Sequence, residues 1–208
     1  MNDFWEERFG HNEYIYGKHP NELVKEQLQL MKPGKGLFPA EGEGRNAVYA
    51  AKLGWECHCY DYSRMAREKA LKLAEENQLR IRYEVADLET LELPENTYDA
   101  VFITFLHLAP EIRSDIHQKL MRSLKKGGIL VMEAFDKQQL PLNTGGPKNS
   151  DMLYTSEMLA EDFSGHKILQ NNPGLRLLEE GRRHNGRALP SAWQLGKSEQ
   201  FVHRRFYH

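Results

Sequence analysis

Several things are scarce in this chain, and each scarcity removes a class of explanation. It has two cysteines, Cys57 and Cys59, at a spacing poor for a disulfide and too few for a structural zinc site. They are read as core residues on one strand face, with His58 turned the other way, so no metal is expected. No run of about 18 apolar residues offers a membrane span, and the start, Asn2-Asp3-Phe4-Trp5-Glu6-Glu7, has no charged, apolar, small-residue leader. A cytoplasmic protein without membrane partners is expected. Neither sign of charge dominates, since the formal net charge is -2, which gives no case for nucleic acid. Internal repeats and low-complexity tracts are missing too. The 208 residues suit one doubly wound sheet and leave no room for a second full domain.

What is present concentrates between Leu37 and Ser63. Leu37-Phe38 leads into Gly42 and Gly44, which allow a tight turn and close ligand approach. A helix over Asn46 to Leu53 closes at Gly54, and a strand over Glu56 to Tyr60 ends at Asp61, about 20 residues past the turn, where a carboxylate can accept both hydroxyls of a ribose. This order builds a nucleotide-type pocket. A dinucleotide fingerprint wants three glycines where the loop offers Ala40, Gly42 and Arg45. The turn also carries Glu41 and Glu43 at a helix N-terminus, where they would repel a pyrophosphate. S-adenosylmethionine has no phosphate and carries a sulfonium and an ammonium, so it suits an acidic turn. The plainer alternative is an ordinary turn whose glutamates complement the helix dipole.

Downstream, Tyr83 to Leu88 reads as a third strand ending in Ala86-Asp87-Leu88, with a carboxylate for an adenine amino group and a leucine to cover the ring. Tyr98 to Ile103 is the continuous apolar run of a strand buried on both faces. Thr104 to Pro110 leaves it at the carboxyl edge, where open α/β sheets bind ligands. Lys125-Lys126-Gly127-Gly128 reads as a turn into a fifth strand, Ile129 to Ala134. Helices are expected from His19-Pro20 to Pro33-Gly34, from Ser63 to about Asn77, and from Pro110 to Leu124. Residues 1–18, polar and aromatic without period, read as a segment over the ligand side of a domain spanning 19–197. Asp136 to Tyr154 reads as a purposeful loop. Six of the last 27 residues are Arg or Lys and only Glu199 is acidic, so 198–208 read as a basic, solvated tail.

Taken together, Tyr16-Gly17 with Pro20-Asn21, the run EGEGRNAVYAA from Glu41, Asp61, Ala86-Asp87-Leu88, Lys126-Gly127-Gly128, Glu133-Ala134-Phe135, and Thr144-Gly145-Gly146-Pro147 with Leu153-Tyr154-Thr155 cover nearly the whole chain. In them the chain resembles the class I S-adenosylmethionine-dependent methyltransferases, and within these the bacterial tellurite-resistance group and, more distantly, the thiopurine methyltransferases. Ala40 replaces that family's common first glycine, and Phe38 its usual acidic residue before the turn.

The resemblance implies a Rossmann-like, seven-stranded, mostly parallel sheet with one antiparallel strand near the C-terminus. A closing hairpin would turn over Glu180 to Ala188, and Pro190 would shorten the last strand or demote it to an edge. It implies cofactor contacts at Ala40, Glu41, Gly42, Gly44, Asn46, Asp61, Tyr62, Ser63, Ala86, Asp87, Leu88 and Phe105. The partner implied is a small methyl acceptor, a thiol, a thiopurine or an oxyanion of tellurium or selenium, taken up by a monomer or homodimer. On the acceptor side stand Trp5, Tyr14, Tyr16 and Tyr154, with aromatic faces suited to a sulfonium. His107 is the candidate for acid–base or acceptor-orienting work; packing or helix capping is its alternative. A cofactor-binding protein without catalysis and a nicotinamide oxidoreductase are the competing readings, the latter disfavoured by Arg45 and the acidic turn.

Overall fold

A computed structural model describes residues 2–173, 176–181 and 184–197. The sheet is built from β1 (Lys35–Pro39), β2 (Glu56–Asp61), β3 (Arg82–Val85), β4 (Tyr98–Thr104), β5 (Leu124–Phe135), β6 (Lys167–Pro173) and β9 (Pro190–Gly196). Their order is β3-β2-β1-β4-β5-β9-β6. β1 to β5 pair in parallel, and β9 runs antiparallel to both β5 and β6, so it is the one reversed strand of this sheet. The expected fold class is the one observed. A separate two-stranded ribbon, β7 (Arg176–Glu180) with β8 (His184–Ala188), is inserted between β6 and β9.

Alternation along the strands divides the core into two layers, because successive side chains of a strand point to opposite faces. Leu37, Val101, Ile103, Leu130 and Met132 face α5 (Pro110–Ser123) and α6 (Ser156–Asp162). Phe38, Cys57, Cys59, Ala100 and Phe102 face α2 (Glu22–Leu30), α3 (Arg45–Lys52) and α4 (Arg64–Glu76). Both cysteines are free and buried, and His58 meets Tyr98 on the opposite face. Helix starts follow their capping residues: the Asn21 side chain accepts from Val24 N at 3.1 Å and Ser63 Oγ from Ala66 N at 3.0 Å. Among the described residues no helix is long and apolar enough to cross a membrane.

Four local expectations are corrected. Pro190 neither shortens β9 nor makes it an edge: as the first residue of an interior strand it needs no ladder donor. The Glu180 to Ala188 stretch turns its own ribbon rather than the main sheet. Lys125 to Gly128 is an excursion inside β5, where the pairing jumps from Tyr98–Leu124 to Ala100–Ile129. The aperiodic N-terminus contains a helix, α1 (Asn2–Phe9). The expected loop of 136–154 carries short 3₁₀ turns at Lys137–Leu142 and Ser150–Met152, and the basic tail 198–208 lies outside the described residues.

Candidate functional site

The strand order reverses between β1 and β4, and the carboxyl ends there open the crevice where such sheets bind ligands. Backbone conformation shapes its floor. Ala40, Gly42 and Gly44 have φ of 52, 64 and 87°, so a non-glycine residue holds the left-handed conformation at the first position. The two glycines serve different ends. A Cβ on Gly44 would stand 2.6 Å from Ala70 Cβ and 2.8 Å from its Cα, so its bareness lets α3 meet α4; a Cβ on Gly42 would meet only the Phe9 ring, at 3.4 Å.

Three carboxylates converge on this turn. Glu41 Oε1 accepts from Asn46 N at 2.9 Å and Ala47 N at 2.8 Å, filling the amides at the start of α3. The place a pyrophosphate would use is thus already occupied by a negative group. Glu43 pairs with the Lys69 ammonium at 2.5 Å. At the end of β2, Asp61 accepts from Gly42 N at 2.9 Å and Ser63 N at 3.0 Å, which leaves acceptor capacity on the carboxylate. Burial pushes Glu41 up to about 7 and Asp61 up to about 6, against the lowering effect of their amide partners. Neither makes an ion pair within 4 Å among the described residues.

The adenine-side candidates divide. Tyr62 donates to Asp87 Oδ1 at 2.8 Å beside Asp61, and Ala86 N reaches Asp61 O at 2.9 Å. Tyr62, Ala86 and Asp87 keep partial exposure, whereas Leu88 is turned into the core. Ser63 is fully buried as the cap of α4. Asn46 accepts from Asn21 N at 2.9 Å, tying the entry of α2 to the turn.

The N-terminal segment packs against the turn and the start of α4. Glu6 of α1 accepts from Arg64 N at 2.7 Å and Met65 N at 3.2 Å, and Phe9 lies against Gly42. Lys69 fastens the segment by donating to the carbonyls of Phe9, His11 and Glu13 at 3.3, 2.8 and 2.6 Å. Trp5 stacks on Phe9 at 5.4 Å, and Tyr16 lies edge-on to Phe9 at 6.3 Å. Tyr14 is placed elsewhere: its hydroxyl donates to Lys69 O at 2.9 Å and its ring packs with Val48 and Leu73 against α3 and α4.

His107 and Tyr154 are also corrected. The His107 Nδ1 meets Met152 O at 2.9 Å, its Nε2 accepts from Phe135 N at 3.3 Å, and burial pushes it down to about 4. Neither nitrogen is left for a proton relay. The Tyr154 hydroxyl donates to Leu106 O at 2.9 Å and accepts from Leu108 N at 3.0 Å, 1% exposed. Together they brace the loop leaving β4; the strand-edge position of His107 does not say where its side chain turns.

In their place a buried cluster appears that single motifs could not reveal. The Asn21 amide donates to Glu133 and, at 2.9 Å, to Glu180 Oε1. Arg45 donates to Glu180 Oε2 at 2.8 Å and to Tyr16 O at 3.2 Å. His184 lies among Phe105, Tyr16 and Phe135 at ring distances of 4.4, 4.7 and 5.3 Å. Phe105, itself at φ 53°, stacks on Phe135 at 4.6 Å. The Gly145-Gly146 backbone lies on the Phe135 ring, where a Cβ on either would come within 2.8 Å. The signal in the sequence was that Asn21, Glu133 and Phe135 fall in the segments carrying the resemblance, and the 180–188 stretch in the hairpin it implies.

Among the described residues of this edge, Glu41, Glu43, Asp61, Glu133 and Glu180 are buried or nearly so, against Arg45 and Lys69. Such an edge fits a ligand bringing positive charge and hydroxyl donors, and it does not fit a phosphate. The family described as Methyltransferase domain matches residues 39–128. A protein named Hemagglutinin 1 of Eikenella corrodens is 27% identical over 140 residues, 62% of this chain and 45% of that protein, so the chain spans under half its relative's length. Among solved structures, TehB from Haemophilus influenzae superposes with a TM-score of 0.72 at 18% identity, over 95% of this chain and 67% of that one. A protein solved in connection with conversion of a disulfide bond into a thioacetal group during echinomycin biosynthesis gives 0.78 at 16%, over 96% and 93%. A SAM-dependent methyltransferase from Aquifex aeolicus gives 0.66 at 15%, over 95% and 99%. The chain is thus similar to a Methyltransferase domain over the stretch that carries the glycine turn, Asp61 and Asp87, and it shares the fold of these solved structures along nearly its whole length.

Proposed function

We propose that this chain, a cytoplasmic protein, transfers the methyl group of S-adenosylmethionine to a small, soft nucleophile. The observation that carries the reading is the acidic floor of the crevice, where Glu41 fills the amides a phosphate would need and Asp61 keeps acceptor capacity at the strand end. Asp61 would hold the ribose hydroxyls, with Ala86, Asp87 and Tyr62 beside the adenine. Glu41 and the Ala40 to Gly44 backbone would face the methionine end, beneath a cover made by residues 1–18. When bound, the cofactor supplies an electrophilic methyl group. The protein supplies position and exclusion of water. The thioacetal chemistry named for one structural neighbour supports a sulfur acceptor.

Calorimetry with S-adenosylhomocysteine, followed by its release against thiols, thiopurines, tellurite and selenite, tests the reading. Asp61→Ala should weaken binding roughly tenfold or more, as a lost charge-assisted hydrogen bond does. Because Asp61 and Glu41 titrate at about 6 and about 7, a cationic ligand should bind more tightly as pH rises from 5.5 to 8 and both ionise. Unchanged affinity in Asp61→Ala would sink the cofactor assignment. Binding without release under any acceptor would leave a cofactor-binding protein.

A further inference from the structure

His184 differs from the other buried histidine near the crevice in being unsatisfied. It opens β8 at 7% exposure, and its Nδ1 is buried without a hydrogen-bond partner, 3.7 Å from Glu180 Oε2. His107, by contrast, has a partner at each nitrogen. A buried polar group left unmade costs on the order of 1–3 kcal/mol, so Nδ1 is set to close on Glu180 when the ring is engaged, and Nε2 is then the nitrogen that accepts. Catalytic contacts are often long in the free enzyme and tighten when the reactant binds. Glu180 is suited to orient the ring, since Asn21 and Arg45 hold both its oxygens.

The groups around His184 also limit what it can meet. Glu180 and Arg45 face it from β7 and α3, Tyr16 and Arg8 from the N-terminal segment, His107 from beyond β4, and Asn21 links Glu180 to Glu133. Arg45 is engaged by Glu180 and Tyr16 O, and Arg8 by the Tyr16 hydroxyl. An oxyanion would therefore enter beside two buried carboxylates, with Arg45 already paired and only the half-buried Arg8 to meet it. A neutral acceptor with an apolar body meets Tyr16, Phe105 and Phe135 instead.

We infer that His184, oriented by Glu180, accepts the proton of a neutral thiol acceptor. The inference rests on the methyltransferase reading above. A lone pair of the thiol sulfur forms the new bond to the methyl carbon, and the carbon–sulfonium bond breaks with its pair left on the departing thioether. The thiol proton passes to the imidazole and from there to solvent. Burial, with Arg45 and Arg8 nearby, holds His184 below its ordinary value, so it is neutral and able to accept at pH 7.

The test compares 2-mercaptoethanol, a protonated thiol at neutral pH, with 4-nitrothiophenolate, already ionised. His184→Gln should slow the first by about 100-fold or more and the second by less than about fivefold. S-adenosylhomocysteine affinity should be kept, and wild-type protein should turn over thiols faster than tellurite or selenite. Equal losses on both acceptors, or faster turnover of the oxyanions, overturn the inference while leaving a methyltransferase. Failure of the wild type to bind S-adenosylhomocysteine removes both. If His184→Gln does not fold, the wild-type pH profile at saturating S-adenosylmethionine decides: 2-mercaptoethanol turnover must show an ascending limb, below the thiol's own ionisation, that 4-nitrothiophenolate lacks. A shared profile refutes the role.

Discussion

The two flanks of the crevice are built by different means. On the β2 side, local chain conformation does the work: three successive left-handed turns at Ala40, Gly42 and Gly44, a carboxylate capping the helix five residues on, and an acid at the next strand end. On the β5 side, Asn21, Arg45, Glu133 and the Glu180–His184 pair of the β7–β8 ribbon come from four separate segments, and apart from that pair their side chains meet only when the whole fold is in place. A backbone-built flank can hold one constant ligand across many sequences, because few side chains are needed. A flank built from long-range side-chain contacts can change its ligand one residue at a time. The methyltransferase-domain match covers 39–128 and so takes in the first flank while stopping short of Glu133 and the β7–β8 ribbon.

The comparison breaks most readily at Arg45, which belongs to both flanks. It starts α3 beside the glycine turn, yet its guanidinium pairs with Glu180 at 2.8 Å with 7% and 10% of the two side chains exposed. Removing one partner of such a pair leaves a buried charge, so Arg45→Ala should destabilise by about 3–5 kcal/mol in urea unfolding. Against its burial, the His184 contact and the attraction of Arg45 hold Glu180 down to about 2. That stabilisation is present above the ordinary carboxylate range and fades as pH falls toward 2, so the mutant's deficit should shrink in acid. A loss below about 1 kcal/mol would mean the flanks are energetically independent.

Within the first flank, the two glycines should separate packing from ligand approach. Gly44→Ala drives a Cβ into the backbone of α4 at 2.8 Å in a left-handed conformation, and should cost about 2–4 kcal/mol. Gly42→Ala, with the Phe9 ring at 3.4 Å, should cost about 1 kcal/mol and show itself mainly in cofactor affinity and in looser docking of α1. Equal melting temperatures for the two would erase the distinction.

The same contrast explains what could be read in advance. Leu37 to Asp61 was legible because glycine, helix and strand signals follow one another in the chain, and the alternating and continuous apolar runs of β1, β2 and β4 gave the sheet. Pro190 misled because a rule about strand interiors was applied to a strand's first residue. Asn2–Phe9 was missed because that helix is held by Glu6 on α4 and by Phe9 under the turn, not by a period of its own. Tyr14 shows how little an aromatic's position in sequence fixes its direction: two residues from Tyr16, it packs on the outer helices while Tyr16 meets His184.

His107 gives the smallest expected effect on turnover and the sharpest test of the second flank. Its ring lies parallel to Phe135 at 5.7 Å and near-parallel to Tyr154 at 5.2 Å, and its two nitrogens hold the Met152 carbonyl and the Phe135 amide. His107→Ala should then cost about 1–3 kcal/mol, from two backbone groups left unpaired and a lost ring. Per folded molecule it should leave the pH profile unshifted and turnover within about threefold. Since burial already keeps the imidazole neutral down to about 4, no charge changes hands above pH 5 when it is removed. A fall of 100-fold with unaltered stability would return the proton transfer to His107 and leave His184 as packing, because a strut and a base differ in which of the two quantities their loss moves.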